Sequence, residues 1–525
     1  MSKTVRRLRA AAGTAALSPL ALLAATQPSA AQAVIARSAE SPIVVLARSA
    51  DAGIPPSESG QTREPATPIA TSYPAEAAGD GNTSAGYNLS RWAEDWTKYR
   101  DPAKRDDFLD RLKYLPLDDD GDVYVTLSGE ARLRVNLTTN PGLRKAPHQR
   151  QDILRLVGGA DVHVGKHLRF YGEIAHGGLD GRNLGTPAAT LRNDLIVQQS
   201  FAELNGEVGG LTIGGRYGRQ EFTDGPNLLV SQRDNNAIRF VLNGARGWVR
   251  GKALRLDAFD FKLTRFGDGG TGDDKVDDGR RFSGVTAGVV IPRDWLGGSK
   301  LYFDPFVWRL RTDAATWGAT TAREERNYVG ARLWGDVGRL TIDWTVNHQG
   351  GDFDGREIDA TQVLMAQTYR LGAASTAPRI GFHADYASGG GGADGQGKLK
   401  AAFSPFGNNI YYSYALFLTP TNLKAIAPNF TFQPVKRLRA TVEYQWTWRA
   451  NQNDAVYRAN GTALPGTQLV PGSKVAEVAR AQLVWSISPR LSATMRLEYL
   501  RADTVLRRAG LRDSAFAAGW LSFRF

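Results

Sequence analysis

The sequence contains no cysteine and, beyond its N-terminus, no long run of apolar residues. The absence of cysteine excludes disulfide bridges and is compatible with passage through an oxidising compartment. No later stretch approaches the roughly 18 apolar residues that a membrane-spanning helix needs. None of the six histidines has HExxH spacing, and the chain has neither a GxSxG elbow nor a P-loop. We therefore predict that the protein is not an enzyme.

The first 33 residues are typical of a secretory signal peptide. Basic residues precede an apolar stretch, Ala10–Ala25, and the small-residue site Ala31-Gln32-Ala33 suits cleavage. The apolar stretch is too short for a membrane anchor and contains Pro19. Residues 34–86 are rich in Ala, Ser, Pro, Glu and Gly without periodicity, which predicts a disordered periplasmic extension.

The most regular stretch of the chain is Asp122–Leu137, which reads DVYVTLSGEARLRVNL. Apolar or small residues alternate with polar or charged ones throughout, and successive side chains of a strand point to opposite faces. Globular strands usually have about 5–6 residues. A longer strand with its charges on one face predicts a tilted membrane-spanning strand whose charged face lines a water-filled lumen.

Similar alternating segments continue to the C-terminus, separated by turn-rich connections. We predict an all-β fold, a transmembrane antiparallel β-barrel of about 18 strands over residues 87–525, with a short N-terminal helical segment before the first strand. The predicted strands are 122–137, 152–165, 167–177, 195–207, 210–218, 236–249, 252–266, 281–291, 299–312, 325–335, 338–349, 361–372, 377–388, 422–433, 436–450, 474–488, 490–503 and 513–525.

The connections between these strands alternate in length, as expected for short periplasmic turns and long external loops. The predicted long connections are 267–280, 350–360, 389–421 and 451–473. Residues 410–418 look like a strand, but this alternation places them in an external or inward-folded loop. For residues 87–114, two interpretations remain open: a structured entry at the periplasmic rim and a partial plug inside the lumen.

The inward positions of the predicted strands carry many charged residues. Alternating charges inside a barrel can pair across strands and keep the lumen wet. Arginines can also attract anions and offer donor forks to carboxylates. Because the arginines alternate along strands rather than cluster, the net charge of +12 indicates an anionic permeant and no nucleic acid. The inward set is Arg132, Arg134, Arg155, Arg169, Arg216, Arg239, Arg379 and Arg449, with Glu130, Asp161, Glu173, Glu203, Asp343, Asp385 and Glu443.

Two acidic stretches, Asp118–Asp122 and Gly267–Gly279, offer the oxygen ligands that Ca²⁺ prefers. Neither has the twelve-residue EF-hand pattern with a closing Glu. Solvated loop acids are the favoured interpretation, so we predict no cofactor and keep Ca²⁺ binding as the alternative.

A series of motifs, in order along the chain, resembles the alginate-export porins of Gram-negative outer membranes. The acidic run that the family has after Ala-Ser-Gly is replaced here by Gly389–Ala393, followed by Asp394 alone. The motifs are Tyr87–Trp92, Tyr99–Pro102, Leu112–Leu117, Leu127–Arg134, Gln198–Leu204, Gly218–Phe222, Arg233-Asp234, Gly244–Arg246, Asp385–Gly390, Asp394–Leu399, Phe403–Phe406, Trp448-Arg449 and Asp454–Tyr457.

The resemblance implies a monomeric barrel in outer-membrane lipid, with an arginine-lined constriction and loops that fold inward. It also implies passive export of a polyuronate handed over by a periplasmic export partner. The residues to which it assigns pore or loop-anchoring roles are Glu130, Arg132, Arg134, Glu203, Arg219, Arg233, Arg239, Arg246, Asp385 and Arg449.

The leading expectation is therefore an outer-membrane pore for alginate or an alginate-like anionic exopolysaccharide, reached after signal-peptide cleavage. A general or anion-selective porin for small solutes is the alternative. A structural or adhesive surface protein with partner-binding loops is a third hypothesis, and it requires a lumen without conductance.

Overall fold

The computed structural model describes residues 87–226, 228–296 and 298–525. The predicted signal peptide, 1–33, and the predicted extension, 34–86, lie outside these ranges. Within the described residues, no helix is both long and apolar enough to cross a membrane.

Eighteen antiparallel strands, β2–β19, form a closed barrel, which confirms the predicted fold class. Each strand pairs with the next along the chain, and β19 pairs with β2 from Phe516↔Thr138 to Arg524↔Glu130 to close the sheet. A two-residue strand, β1, pairs with the start of β2. The strands are β1 Leu115–Pro116, β2 Val123–Thr138, β3 Gln149–Val164, β4 Leu168–Arg182, β5 Asn193–Val208, β6 Leu211–Gln220, β7 Leu242–Arg250, β8 Leu254–Arg265, β9 Lys275–Val290, β10 Lys300–Trp317, β11 Thr320–Val337, β12 Leu340–Phe353, β13 Arg356–Arg370, β14 Arg379–Ala387, β15 Leu423–Val435, β16 Leu438–Trp448, β17 Lys474–Ser486, β18 Leu491–Ala502 and β19 Ser514–Arg524.

The helices are short, and the predicted N-terminal helical segment is among them. Asp107 caps α1, because its carboxylate accepts the backbone N–H groups of Leu109 (2.8 Å) and Asp110 (3.1 Å). The α-helices are α1 Phe108–Arg111 and α2 Thr504–Arg508, and the 3₁₀ turns are Arg91–Ala93, Thr97–Arg100, Pro102–Lys104, Pro141–Leu143, Arg293–Leu296, Asn409–Tyr411 and Thr467–Leu469.

Every predicted strand has its counterpart, but the predicted long connection 350–360 is wrong. Strands β12 and β13 continue to a two-residue turn at Asp354-Gly355, where both residues have positive φ (54° and 77°). Gly351 does not break β12. It lies opposite Arg326, at φ 133°, where a Cβ would come within 2.0 Å of the Glu325 carbonyl oxygen.

Two other predicted boundaries also shift. Strand β7 starts at Leu242 rather than 236, because residues 236–241 bond to other loop segments. Arg239, predicted as an inward residue of this strand, therefore lies in the loop that precedes it. The Ile238 N–H donates to the Thr190 carbonyl at 2.9 Å, and the Phe240 N–H donates to the Gln232 carbonyl at 2.8 Å. The second boundary is the start of β9, which lies at Lys275 because residues 275–277 pair with 263–265 of β8. The connection predicted at 267–280 therefore ends early.

The two faces of the barrel differ as the alternation predicts. On β2, Leu133 is 58% exposed on the outside, whereas its neighbours Arg132 and Arg134 are buried on the inside. Large apolar side chains such as Val307 and Val346 are likewise exposed on other strands. The outer surface therefore suits hydrocarbon, and the polar groups lie within the lumen.

The inside is filled by loops from one end of the barrel, here called the long-loop end. Residues 221–241 and 388–422 fold inward and pack an apolar cluster against the walls of β8–β10. Leu229 and Phe406 of these loops meet Phe259, Phe282 and Trp308 of the wall, all of them buried. The opposite, short-turn end has connections such as Gly165–His167 and Gly209-Gly210. The barrel core thus lies between its wall and its own loops.

The lipid-facing position of Leu133 generates a stability prediction. Leu133→Arg places a charge in hydrocarbon near the middle of β2, so the free energy of unfolding should fall by about 2–4 kcal/mol. Guanidinium titration of the barrel refolded in lipid vesicles measures this change. Leu133→Phe is the control and should stay near the wild-type value. Equal stability of Leu133→Arg and wild type would place this residue outside the hydrocarbon.

Candidate functional site in the lumen

The carboxylate of Asp234 is the centre of a network of ion pairs inside the barrel. It lies in the inward loop 221–241 and contacts the guanidinia of Arg132 (2.9 Å), Arg155 (2.6 Å) and Arg239 (2.7 Å). Burial alone would raise the pKa of Asp234, but the three guanidinia hold this pKa well below its usual range. A single carboxylate therefore joins three of the arginines that the sequence singled out.

Arginines of the wall also hold the loop backbone. Arg155 donates to the carbonyls of Asp234 and Ala237, both at 2.8 Å. Arg134 donates to the carbonyl of Asn235 at 2.7 Å and lies over the ring of Trp520, 4.9 Å from its centroid. Since a planar guanidinium has five donors in fixed directions, these contacts set the position and orientation of the loop.

The N-terminal segment reaches into the lumen through Arg91. Its guanidinium pairs with Glu130 and, at 3.1 Å, with Glu173, and all three side chains are almost fully buried. Glu130 also pairs with Arg132 (3.0 Å) and Arg155 (3.3 Å), so the segment joins the network around Asp234. Because Glu130 and Glu173 lie in the interiors of β2 and β4, these contacts favour a partial plug over a structure at the rim.

Trp92 connects the N-terminal segment to the neighbouring strands. The Arg216 guanidinium lies 3.8 Å from the centroid of the Trp92 ring. Arg169 donates to the Trp92 carbonyl. Trp92 also meets the ring of Phe201 edge-on at 6.2 Å. Indole and guanidinium attract through the ring quadrupole, so this residue anchors the segment to β4–β6.

Toward the short-turn end, the N-terminal segment contains a buried ion pair. The Lys113 ammonium lies 3.6 Å from the Glu94 carboxylate, and neither side chain is accessible. Burial lowers the pKa of Lys113 to about 8 and raises the pKa of Glu94 above its usual value. Arg490, in the turn between β17 and β18, pairs with Asp107 and, at 2.6 Å, with Asp110. Residues 94–113 are thereby held against the wall.

Several predicted site residues pair with one another across neighbouring strands. Asp161 accepts from Arg169 at 2.7 Å, and Glu203 accepts from Arg216 at 2.8 Å. Arg246 donates in the same way to Asp257 at 2.7 Å. In these pairs the charges satisfy each other, which is the structural role that the sequence left open.

Other predicted residues hold loops rather than line open space. Arg449 donates to the backbone carbonyls of Asp454 (2.8 Å) and Thr467 (2.7 Å), and so anchors the loop between β16 and β17. Arg219 donates to the carbonyl of Asp274, at the end of the loop between β8 and β9, at 3.1 Å. It also donates to the neighbouring strands, through the Val197 carbonyl and the Asn243 side chain, both at 2.9 Å.

Of the remaining predicted residues, two lie on β14 and one lies in the first inward loop. Asp385 lies 2.7 Å from Nδ1 of His383, and Arg379 starts the strand, half-buried, opposite Arg370. Arg233 precedes Asp234 in the inward loop and lies over the ring of Phe240.

The second inward loop is held by wall residues, Arg480 and Glu498, that the sequence did not single out. The Arg480 guanidinium donates to the Ile410 carbonyl at 3.0 Å and pairs with Glu443. Ser413 donates to Glu498 at 2.7 Å. Residues 410–418 thus form an inward-folded loop, most of it buried, rather than a strand, as the alternation of connections predicts. Only the spacing of strands could have indicated it, because its polar partners come from β16–β18.

The acidic stretches show no arrangement suited to a metal ion. Among the described residues, no group of three or more His, Asp or Glu side chains could hold one. Neither Asp118–Asp122 nor Gly267–Gly279 therefore supports the Ca²⁺ alternative through its geometry.

Comparisons with known proteins agree with this architecture. A family model described as alginate export matches residues 123–518. None of the curated proteins compared by sequence matches the chain. Among solved structures, OccAB1 of Acinetobacter baumannii is similar with a TM-score of 0.51 and 13% identity, covering 79% of this chain and 99% of that one. A BenF-like porin from Pseudomonas fluorescens Pf-5 has a TM-score of 0.50 and 10% identity, covering 76% and 98%. At these identities the likeness shows the fold alone.

The Arg91 contacts generate a prediction about the N-terminal segment. Arg91→Ala leaves Glu173 without a cation, and breaking a buried pair typically costs about 3–5 kcal/mol. Amide hydrogen exchange of residues 88–93 should become at least about tenfold faster, since tenfold corresponds to about 1.4 kcal/mol. Lys104→Ala, at an exposed position of the same segment, is the control and should not change the exchange. Unchanged exchange in Arg91→Ala would show that this side chain does not hold the segment.

Proposed function

The chain belongs to the alginate export family, and we propose that it is an outer-membrane pore for passive export of an anionic exopolysaccharide, alginate or an alginate-like polyuronate. In this proposal the barrel acts as a monomer in outer-membrane lipid, after removal of its signal peptide. A periplasmic export partner delivers the polymer, and neither enzymatic activity nor a cofactor is required.

The convergence of three guanidinia on Asp234 supports this proposal most directly. A uronate carries the same acceptor group, a carboxylate, on every sugar ring. The lumen therefore already contains a binding arrangement for a carboxylate, and the protein occupies it with a side chain from its own loop. Charge-assisted bonds between guanidinium and carboxylate are strong and directional, so a passing uronate can compete for the same donors.

Transport also requires that each site release what it binds. The acids among the arginines, Glu130 and Asp234 above all, limit how tightly a polyanion is held, because they offer the guanidinia an intramolecular alternative. Binding and release then become an exchange between two carboxylates of similar chemistry. Such an exchange keeps the free-energy differences along the path small.

The second candidate function is an anion-selective porin for small solutes. It is favoured by the dense filling of the lumen by the two inward loops and residues 88–93, which leaves less room for a polymer. The two candidates differ in whether uronate oligomers interact with the lumen along several sugar rings.

Single-channel recording in planar bilayers distinguishes them. We expect an anion-selective conductance that oligouronates block and neutral glucan oligomers do not. Asp234→Asn removes the competing carboxylate, so block by oligouronate should occur at a several-fold lower concentration. Asp354→Asn, in the exposed turn between β12 and β13, is the matched control and should behave as wild type.

Three results would contradict the export proposal. Conductance indifferent to oligouronates would favour the small-solute porin. Stronger block in Asp354→Asn than in Asp234→Asn would show that the effect reflects total charge rather than the lumen site. A barrel without conductance, in wild type and in Arg91→Ala, would favour the surface-protein hypothesis.

A further inference from the structure

Two lumen arginines, Arg233 and Arg280, differ from those of the Asp234 network. Within the described residues, neither guanidinium forms an ion pair or a side-chain hydrogen bond, and the Nε atom of Arg233 is buried without a partner. Asp277 attracts Arg280 without reaching ion-pair distance. Both arginines are half-buried, so neither has full hydration in place of a partner.

An aromatic group brings the two arginines to the same part of the lumen. The Arg233 guanidinium lies 5.4 Å from the centroid of the Phe240 ring, which is 5.0 Å from the ring of Phe406. Phe406 is in turn 5.0 Å from Phe282, which shares the inner face of β9 with Arg280, two residues away. The two cations therefore border one aromatic cluster, Arg233 from the loop and Arg280 from the wall.

The charges of the two arginines also act on each other. Burial and, as the smaller contribution, the positive charge of Arg280 together lower the pKa of Arg233 to about 10. Two like charges held close together in a partly dry site are unfavourable until an anion joins them.

The loop backbone separates Arg233 from the paired network. Arg233 has a φ of 55°, a conformation that non-glycine residues rarely adopt, and its N–H donates to the Ser231 hydroxyl at 3.1 Å. The adjacent Asp234 engages three other guanidinia. This turn gives the two neighbouring charged residues different surroundings and leaves the Arg233 guanidinium without a carboxylate.

We propose that Arg233 and Arg280 together bind one carboxylate of the uronate polymer, with the sugar ring against the partly exposed face of Phe240. This inference rests on the proposed function and specifies where in the lumen the polymer is recognised. At the Asp234 network a uronate must displace an existing carboxylate. At Arg233 and Arg280 it fills a position that no described acid occupies, so binding there has no pair to break. Two guanidinium forks can accommodate both oxygens of one carboxylate.

Equilibrium binding tests the pair without depending on conductance. Isothermal titration of the full-length barrel refolded in detergent with hexamannuronate should show Kd increased at least about tenfold in Arg233→Gln and in Arg280→Gln, corresponding to the loss of one strong contact. The double variant should lose no more than a small further factor, because both residues hold the same carboxylate. Maltohexaose, which is neutral, should give no difference among the variants.

Arg281→Gln is the matched control. Arg281 is adjacent to Arg280 on β9 but is exposed, and it pairs with Asp260. The variant loses the same single charge and should bind hexamannuronate like wild type. Arg233→Lys and Arg280→Lys, which keep the charge but not the fork, should retain part of the affinity. Heat-dependent electrophoretic mobility verifies that each barrel is folded.

The outcomes separate this inference from the proposed function. Wild-type affinity in Arg233→Gln and Arg280→Gln would overturn the pair while leaving the export proposal intact. An equal loss in Arg281→Gln would overturn it as well, since the effect would then be one of net charge. Absence of hexamannuronate binding to wild type would overturn the pair, and block of the conductance would still decide the export proposal separately.

Discussion

The buried carboxylate of Asp234, shared by three guanidinia, is the interaction on which the interior depends. Moving an ion out of water costs several kcal/mol even after relaxation, and Arg132, Arg155 and Arg239 are all nearly inaccessible. Arg132 and Arg155 of the wall can remain charged inside the barrel because the loop brings an acid to them, and Arg239 reaches the same acid from within the loop. The loop can fold inward, in turn, because the wall offers donors for its carboxylate and for its carbonyls. Neither side of this contact would be stable alone.

Much of the barrel could be predicted from the sequence because the alternation of side chains along a strand is a local pattern. A period of two assigns each residue to lipid or lumen, so β2 and the inward position of Arg132 follow from reading one segment. The prediction was wrong where glycines, which are typical of turns, lie inside a strand. Gly350-Gly351 suggested a long connection. Gly351 in fact lies within β12, where the nearby Glu325 carbonyl leaves no room for a Cβ. The local rule has no information about which neighbours require a glycine.

The partners of the lumen arginines could not be predicted, because those contacts join distant parts of the chain. Asp234 is separated from Arg132 by 102 residues, and Arg91 is separated from Glu173 by 82. Alternation predicts that Arg132 faces inward but not that a loop will neutralise it. The location of residues 88–93 inside the lumen has the same origin, since it depends on acids in β2 and β4 that the pairing of both strands with β3 brings together.

Pairing changes what an arginine in the lumen can do. A guanidinium bonded to a carboxylate positions a loop and contributes little net field, whereas one without such a partner attracts anions at the full strength of its charge. A count of inward arginines therefore overstates the positive potential of this lumen. The position of each arginine decides its role. Strand arginines within reach of Asp234, Glu130 or Glu203 pair with these acids and stabilise the filling of the barrel. Arg233 and Arg280 lie beyond the reach of those acids. The acids of the network are engaged by other guanidinia, so in the proposed function the pairs that hold the inward loops leave Arg233 and Arg280 to interact with an anion.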